Sequence, residues 1–361
     1  MKTPQFLAAG LALAGPFLLA SSGFGQGDLN PPPGPPAPTM KSLDQIEPRT
    51  PVDVAHTPGD ATSMFIISAP GSYYLTGNIT GVSGQDGIRI ASDNVTLDLS
   101  GFVLIGVSGS LHGITVPAAR TNVTIRNGTV RNWGQKGVDA ALVSNGTLES
   151  LSASNNGTAG LAAGLNCRVS ACVALNNTGE GITFLGGCTI KGCSVQGNYA
   201  GLSTTDLGGG SDITGCTAFA NTTVGISAFY GNTVSGCTTR YNGNAGIGVS
   251  SNCTVSGCTS SRNTSNGITA FSRNLIVNNS VSENGQNGVN GDGINCYGGE
   301  NRIDSNHATG NNGRGIRSTG GVDIIIRNTS LTNSAGAYAP GTSSIGPIGN
   351  PATATSPWAN F

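Results

Sequence analysis

The chain has 361 residues, a formal charge of −1 and only 10% charged residues. A nucleic-acid binder needs a basic surface to neutralise phosphates, so that class is excluded, and neutral polar residues must cover the exterior. Apolar residues reach 37% but aromatics only 5%, so the core is narrow and aliphatic.

Residues 1–26 are expected to be a signal peptide. Lys2 precedes an apolar stretch from Phe6 to Ala20, and small residues follow, with cleavage between Ala20 and Gln26. Gly15-Pro16 interrupts that stretch, which is too short to span a bilayer comfortably. No later segment is apolar enough to do so. The mature chain is therefore expected outside the cell or in its envelope, with no membrane span. Residues 27–60 open on DLNPPPGPPAP, a proline-rich leader that cannot bury itself, laid along the body. Residues 63–80, with Phe65, Tyr73 and Tyr74, read as an N-terminal cap or first partial coil of a domain spanning 61–333.

From Gly87 the chain repeats. Glycines followed by an aliphatic residue fall at 87, 113, 137, 160, 181, 201, 225, 246, 267, 293 and 315, giving eleven units of about 23 residues. Cys172, Cys193, Cys216, Cys237 and Cys258 share one register; Leu151 precedes them, and Asn279, Asn306 and Asn328 follow. Five residues further on stands an asparagine each time, at 156, 177, 198, 221, 242, 263, 284, 311 and 333, with Asn132 expected to begin the series. Within a unit the apolar pattern has period two, as in Ile268/Ala270 and Cys253/Val255, in segments bounded by Gly, Asn and Ser. Short strands repeating every 20–25 residues make one turn of a parallel β-helix. Such coils stack about 4.8 Å apart, so like side chains meet like. Stacked asparagines can pass an amide hydrogen bond from coil to coil, and asparagine tolerates the left-handed conformation of a bend.

The nine cysteines then need no metal. A column spreads its sulfurs along a line, whereas zinc requires them to converge. Stacked Cβ atoms also lie farther apart than a disulfide prefers, so a ladder of free thiols is expected, with partial oxidation as the alternative. Residues 334–361 lose the repeat and end in PWANF, an apolar terminus suited to capping the last coil.

From Gly87 to Asn333 the coils follow GI…N-x-V/I-x-x-[CN]-x-[STA]-x-x-N. On these residues the chain resembles the right-handed parallel β-helix proteins of the pectate-lyase-like superfamily. Its PPGPPAPTMKSLDQIEPRTP, PGSYYLTGNIT and GPI…PWANF stretches are similar, more narrowly, to a group of exported bacterial β-helix proteins with no established reaction. The resemblance implies an all-β, single-stranded right-handed parallel β-helix of about eleven coils; the general chirality of parallel crossovers agrees. Superfamily enzymes cleave or modify acidic polysaccharides, but their motifs are missing. The chain has no paired aspartates, and Leu111-His112-Gly113 is its nearest approach to Gly-His-Gly. It lacks Asp-Pro-His-Asp and any compact acidic cluster for calcium. No cofactor and no metal are expected.

Three patches could carry chemistry. Asp86, His112 and Lys136 each precede a coil-opening glycine, so they stack in one column suited to acid–base work or uronate binding. Asp292 and Arg314 share that column further on; with Arg302, Asp304 and His307, read as alternating outward on one strand, and Arg317 and Arg327 beyond, they form a second cluster. Phe229, Phe271 and Tyr297 each lie four residues after their coil-opening glycine, which sets flat rings roughly 10 and 5 Å apart on one edge, a spacing suited to sugars. The expectation is an exported scaffold that binds extracellular polysaccharide, with or without processing it. The alternatives are a non-catalytic structural or adhesive surface rod, and a polysaccharide lyase or hydrolase with a dispersed site.

Overall fold

Each repeat folds into one turn of three short strands, because its apolar residues alternate and its bends carry glycine or asparagine. The computed structural model describes residues 49–204, 209–350 and 352–361. Residues 1–26, expected to be a signal peptide, and most of the proline-rich leader lie outside the described residues. In a representative turn, strands Ile226–Ala228, Thr233–Ser235 and Thr238–Arg240 follow one another. Each pairs in parallel and in register with its counterpart one turn on, as in Ile226↔Ile247, Val234↔Val255 and Thr239↔Ser260. One side of the solenoid is a sheet with a strand from each successive turn, from Ser63–Ile67 to Tyr338–Ala339; the other two sides form a sheet of 24 strands. No helix among the described residues is long and apolar enough to cross a membrane.

The first sheet has thirteen turns on its main path, two more than the glycine count. Met64 and Ala337 stand in register with Gly87 and Gly315, so neither terminal turn carries the glycine that marks the rest. The expected partial coil at 63–80 is a full turn: Ser63–Ile67, Gly71–Tyr74 and Ile79–Thr80 all pair with the turn that follows.

The core is a stack of aliphatic side chains. Ile226, Ile247, Ile268 and Ile294 are each fully buried directly above one another, and each contributes roughly 2 kcal/mol by leaving water. What fixes the register is polar. Asn198 donates its backbone N–H to Asn221 Oδ1 (3.1 Å), Asn221 to Asn242 Oδ1 (3.1 Å), and Asn242 to Asn263 Oδ1 (3.0 Å). The same oxygens accept the side-chain amide of the asparagine before them, at 3.2, 2.9 and 2.9 Å. A buried bend thus satisfies its own N–H through the next turn. The ladder starts at Asn156, which accepts from Trp133 N (3.1 Å); Trp133, not Asn132, holds the earlier place.

The left-handed residue is the one before each ladder residue: Ala220 (φ 50°), Tyr241 (φ 56°) and Arg262 (φ 53°). The asparagines are therefore selected for their oxygen, not for a left-handed backbone. The coil-opening glycine follows from the same ladder. A Cβ on Gly225 would lie 2.7 Å from Asn242 Nδ2 and 2.7 Å from Gly246 O, closer than real contacts allow.

Eight of the nine cysteines occupy two further ladders of this kind; Cys296 instead stacks between Ala270 and Ser318 in the first sheet. Cys193 N donates to Cys216 Sγ and Cys216 N to Cys237 Sγ, both at 3.4 Å, and Cys258 N donates to Asn279 Oδ1 at 2.9 Å. Cys216 Sγ in turn donates to Ile190 O at 3.7 Å, as an asparagine amide would. In the other column Cys167, Cys188, Ser211, Asn232, Cys253, Asn274, Asn301 and Asp323 succeed one another, so thiol, hydroxyl, amide and carboxylate interchange wherever an acceptor is required. All nine thiols are buried and free. Among the described residues, no three His, Cys, Asp or Glu side chains converge as a metal site would require.

Both ends of the stack are covered. Thr50–Pro51 adds to Gly71–Tyr74, and Pro58 bridges Phe65. At the other end Asn360 Oδ1 accepts from Asn328 N (2.9 Å), extending a ladder by one step, while Tyr338 Oη donates to Phe361 O (3.0 Å). Trp358 lies under the Arg327 guanidinium at 5.4 Å. An open edge that would otherwise pair with another chain is closed.

Candidate functional site

Outward-facing residues of the first sheet form continuous rows, because the turns stack in register. The middle row runs Ser203, Ser227, Gly248, Thr269, Asn295 and Arg317. Beside it, one residue past the strand ends, stand Phe229, Ser250, Phe271 and Tyr297. Ser227, Gly248 and Thr269 of the first row and all four residues of the second line a shallow groove of about 330 Å³. Phe271 and Tyr297 are 54% and 48% exposed, and Phe229 is half-buried. The three aromatic residues singled out from the sequence are therefore brought into one groove. Ser250 stands between Phe229 and Phe271 in the second row, and Gly248 beside it supplies no side chain. Tyr297 reaches back one turn, where its hydroxyl meets Asn266 Nδ2 at 3.5 Å. At this end of the floor Asn295 is buried and its Oδ1 has no hydrogen-bond partner.

The column of Asp86, His112 and Lys136 forms, but Asp86 Oδ1 and His112 Nδ1 are engaged by the backbone. Asp86 Oδ1 accepts from His112 N (2.9 Å), and His112 Nδ1 accepts from Lys136 N (3.3 Å). Lys136 Nζ pairs with Asp139 (3.0 Å). Burial lowers the His112 pKa against the pull of Asp139 and Asp86, which keeps Nδ1 unprotonated as an acceptor. The column repeats the device of the ladders. Further along it Asn266 Oδ1 accepts from Asp292 N, and Asp292 Oδ1 from Arg314 N, both at 2.7 Å.

The second cluster divides in two. Asp292, buried at the corner of the first sheet, caps Arg314 N and pairs with Arg317 Nη1 at 3.6 Å. Arg302 and Asp304 lie on strand Arg302–Asp304 of the larger sheet, and His307 opens the next strand, His307–Thr309, past a bend at Ser305 (φ 57°). The expected outward alternation on one strand is interrupted there. His307 is exposed, whereas the Asp304 side chain is 3% exposed beneath two arginines. Asp304 accepts from Arg302 Nη2 (2.8 Å) and Arg327 Nε (2.7 Å), with a further short contact to Arg327 Nη2. Burial raises its pKa, but the arginine hydrogen bonds outweigh burial and hold it at about 2. The two carboxylates, Asp292 with Arg317 and Asp304 with Arg302 and Arg327, do not share a site.

Sequence reasoning missed one cluster. Tyr241 receives hydrogen bonds from Arg262 Nη1 (2.9 Å) and Arg240 Nη2 (3.3 Å), and its ring meets Phe219 edge-on at 5.7 Å. Arg262 pairs with Glu283 one turn on. The signal was a bulky or charged residue at positions 241, 262 and 283, just before the asparagine, where other turns carry Asn, Gly, Ala or Thr.

A family model described as "Right handed beta helix region" matches residues 66–218. This chain is a right-handed parallel β-helix. Among solved structures, the β-helix is similar to the A-module of mannuronan C-5 epimerase AlgE6 from Azotobacter vinelandii. That match has 17% identity and a TM-score of 0.56, and covers 81% of this chain and 88% of the module. The AlgE4 A-module from the same organism matches at 18% identity and TM-score 0.51, covering 86% and 89%. The tailspike protein of E. coli bacteriophage HK620, solved with a pentasaccharide, matches at 13% identity and TM-score 0.53, covering 75% of this chain and 60% of the tailspike. At these identities the likeness is one of fold. No curated protein matches the β-helix in sequence.

Proposed function

We propose that this β-helix is exported and binds extracellular polysaccharide along the groove of Phe229, Phe271 and Tyr297. The observation that carries the reading is the groove itself: three aromatic residues, two of them about half exposed, on a chain with only 5% aromatics. Exposed aromatic rings stack well on sugar faces, and a rigid scaffold loses little freedom on binding. The fold likeness supports it, since the epimerase modules are named for mannuronan and the tailspike holds a pentasaccharide. Export rests on the order of Lys2, the apolar stretch and the small residues after it. Binding without turnover is favoured because Asp86, His112 and Asp292 cap backbone N–H groups and Asp304 is clamped by arginine.

The test is a screen of the purified protein against neutral and uronate-containing glycans, reading both binding and new reducing or unsaturated ends. Binding that Phe271→Ala weakens, with no new ends, is the expected result. No binding to any glycan overturns the reading and leaves a structural surface rod; new chain ends would make the protein an enzyme.

A further inference from the structure

The groove carries information about its ligand that goes beyond glycan binding, although it rests on that reading. None of the side chains lining it is charged. From Ala162 to Asn295 the floor row holds no ionisable residue; the first ones along it are Asp139 on one side and Arg317 on the other. The row bordering the floor opposite the rings is Val224, Ala245 and Asn266, also neutral, and then, opposite Tyr297, Asp292, which is buried and paired with Arg317. A polyuronate lays a carboxylate on the surface at every sugar, and a groove that takes it must offer cations or lose the desolvation energy of each anion. This groove offers hydroxyls and aromatic faces.

The second observation is Gly248. Its neighbours in the floor row, Ser227 and Thr269, carry side chains, and it does not. A Cβ placed on it would meet only Val224 Cγ2, at 3.8 Å, so the backbone imposes no glycine there. Its φ is also not in the left-handed region. The coil-opening glycines are required by the fold; this one is not. What its missing side chain makes is a slot between Phe229 and Phe271, two sheet spacings or roughly 10 Å long. We propose that the groove binds an uncharged glycan, one sugar of which sits in the Gly248 slot between the two phenyl rings, and that Gly248 determines which glycans fit.

The experiment uses the full chain and short oligosaccharides of two kinds, neutral β-glucan, mannan and xylan fragments and acidic oligogalacturonate and oligomannuronate, titrated calorimetrically at low and high salt. The inference predicts binding of at least one neutral oligosaccharide with an affinity indifferent to salt, and a loss of at least about tenfold in Gly248→Thr. Gly248→Ala should lose less. Both variants should melt within a few degrees of the parent, since a Cβ at this position meets only Val224 Cγ2, at 3.8 Å, and Ser227 and Thr269 carry side chains in the same row. Preference for the acidic oligosaccharides, weakening with salt, would overturn the uncharged ligand while leaving glycan binding in place. Unchanged neutral binding in Gly248→Thr would overturn the slot. Binding of neither kind would overturn this inference and the function it rests on together.

Discussion

Replacing Asn221 by alanine tests whether the amide ladder holds the stack. The substitution removes four hydrogen bonds. Two are accepted by Oδ1 from Asn198 N (3.1 Å) and Nδ2 (3.2 Å), and two are donated by Nδ2 to Asn242 Oδ1 (2.9 Å) and Val195 O (3.4 Å). A net contribution of about 1 kcal/mol each gives a loss of about 4 kcal/mol. Asn198 is fully buried, so its two orphaned donors cannot recover water. Urea unfolding followed by circular dichroism reads the loss as a lower midpoint. Two controls accompany it. Thr238→Ala, on the exposed side of a neighbouring strand, should change stability by less than about 0.5 kcal/mol. Asn221→Ser should recover part of the loss, because Ser211 already serves as acceptor to Cys188 N (3.0 Å) in another ladder. A loss below about 1 kcal/mol in Asn221→Ala would refute the reasoning, since each asparagine would then be a bystander to aliphatic stacking.

Two further outcomes follow from the charged residues. His112→Asn supplies the same acceptor to Lys136 N and should preserve stability and glycan binding, whereas His112→Ala should cost about 1–2 kcal/mol in the same urea assay; a stable His112→Asn protein that lost glycan binding would return His112 to the list of functional groups. Asp304 has a folded pKa of about 2, below the unfolded value of about 3.9, so its contribution is complete above that value and fades as pH falls toward 2. The parent should therefore lose stability more steeply than Asp304→Asn between about pH 4 and 2, and parallel acid titrations of the two would contradict the ion-pair account.

The architecture was legible because stacking turns a fold into columns, and columns are visible as equal spacing. Cys216, Cys237 and Asn279 announce one ladder by position alone, without any indication of their bonds. What remained hidden was the reason for each column. The left-handed backbone sits one residue before the asparagine, at Ala220 or Tyr241, where residue type gives little sign of it. Asp86 and His112 looked like acid–base chemistry because their bonds run to backbone N–H groups one turn away, which no residue pattern displays. The terminal turns were read as caps and left out of the coil count because Met64 and Ala337 replace the marker glycine. Asp304 was misread because the bend at Ser305 separates it from His307, and because two arginines cover it. The aromatic groove was legible for the same reason as the ladders: residues at one offset in neighbouring turns lie on one edge. Gly248 escaped notice because in a chain with 57 glycines one more carries no signal until its surroundings are known.

The functional account stands on where a sugar lies. Crystals soaked with the neutral oligosaccharide that binds most tightly give that position directly. The account predicts sugar density against Phe271, with one ring over Gly248 and towards Phe229. Density on another face, beside Tyr241 and Arg262 or along the Thr217–Thr238–Thr259 row, would contradict it.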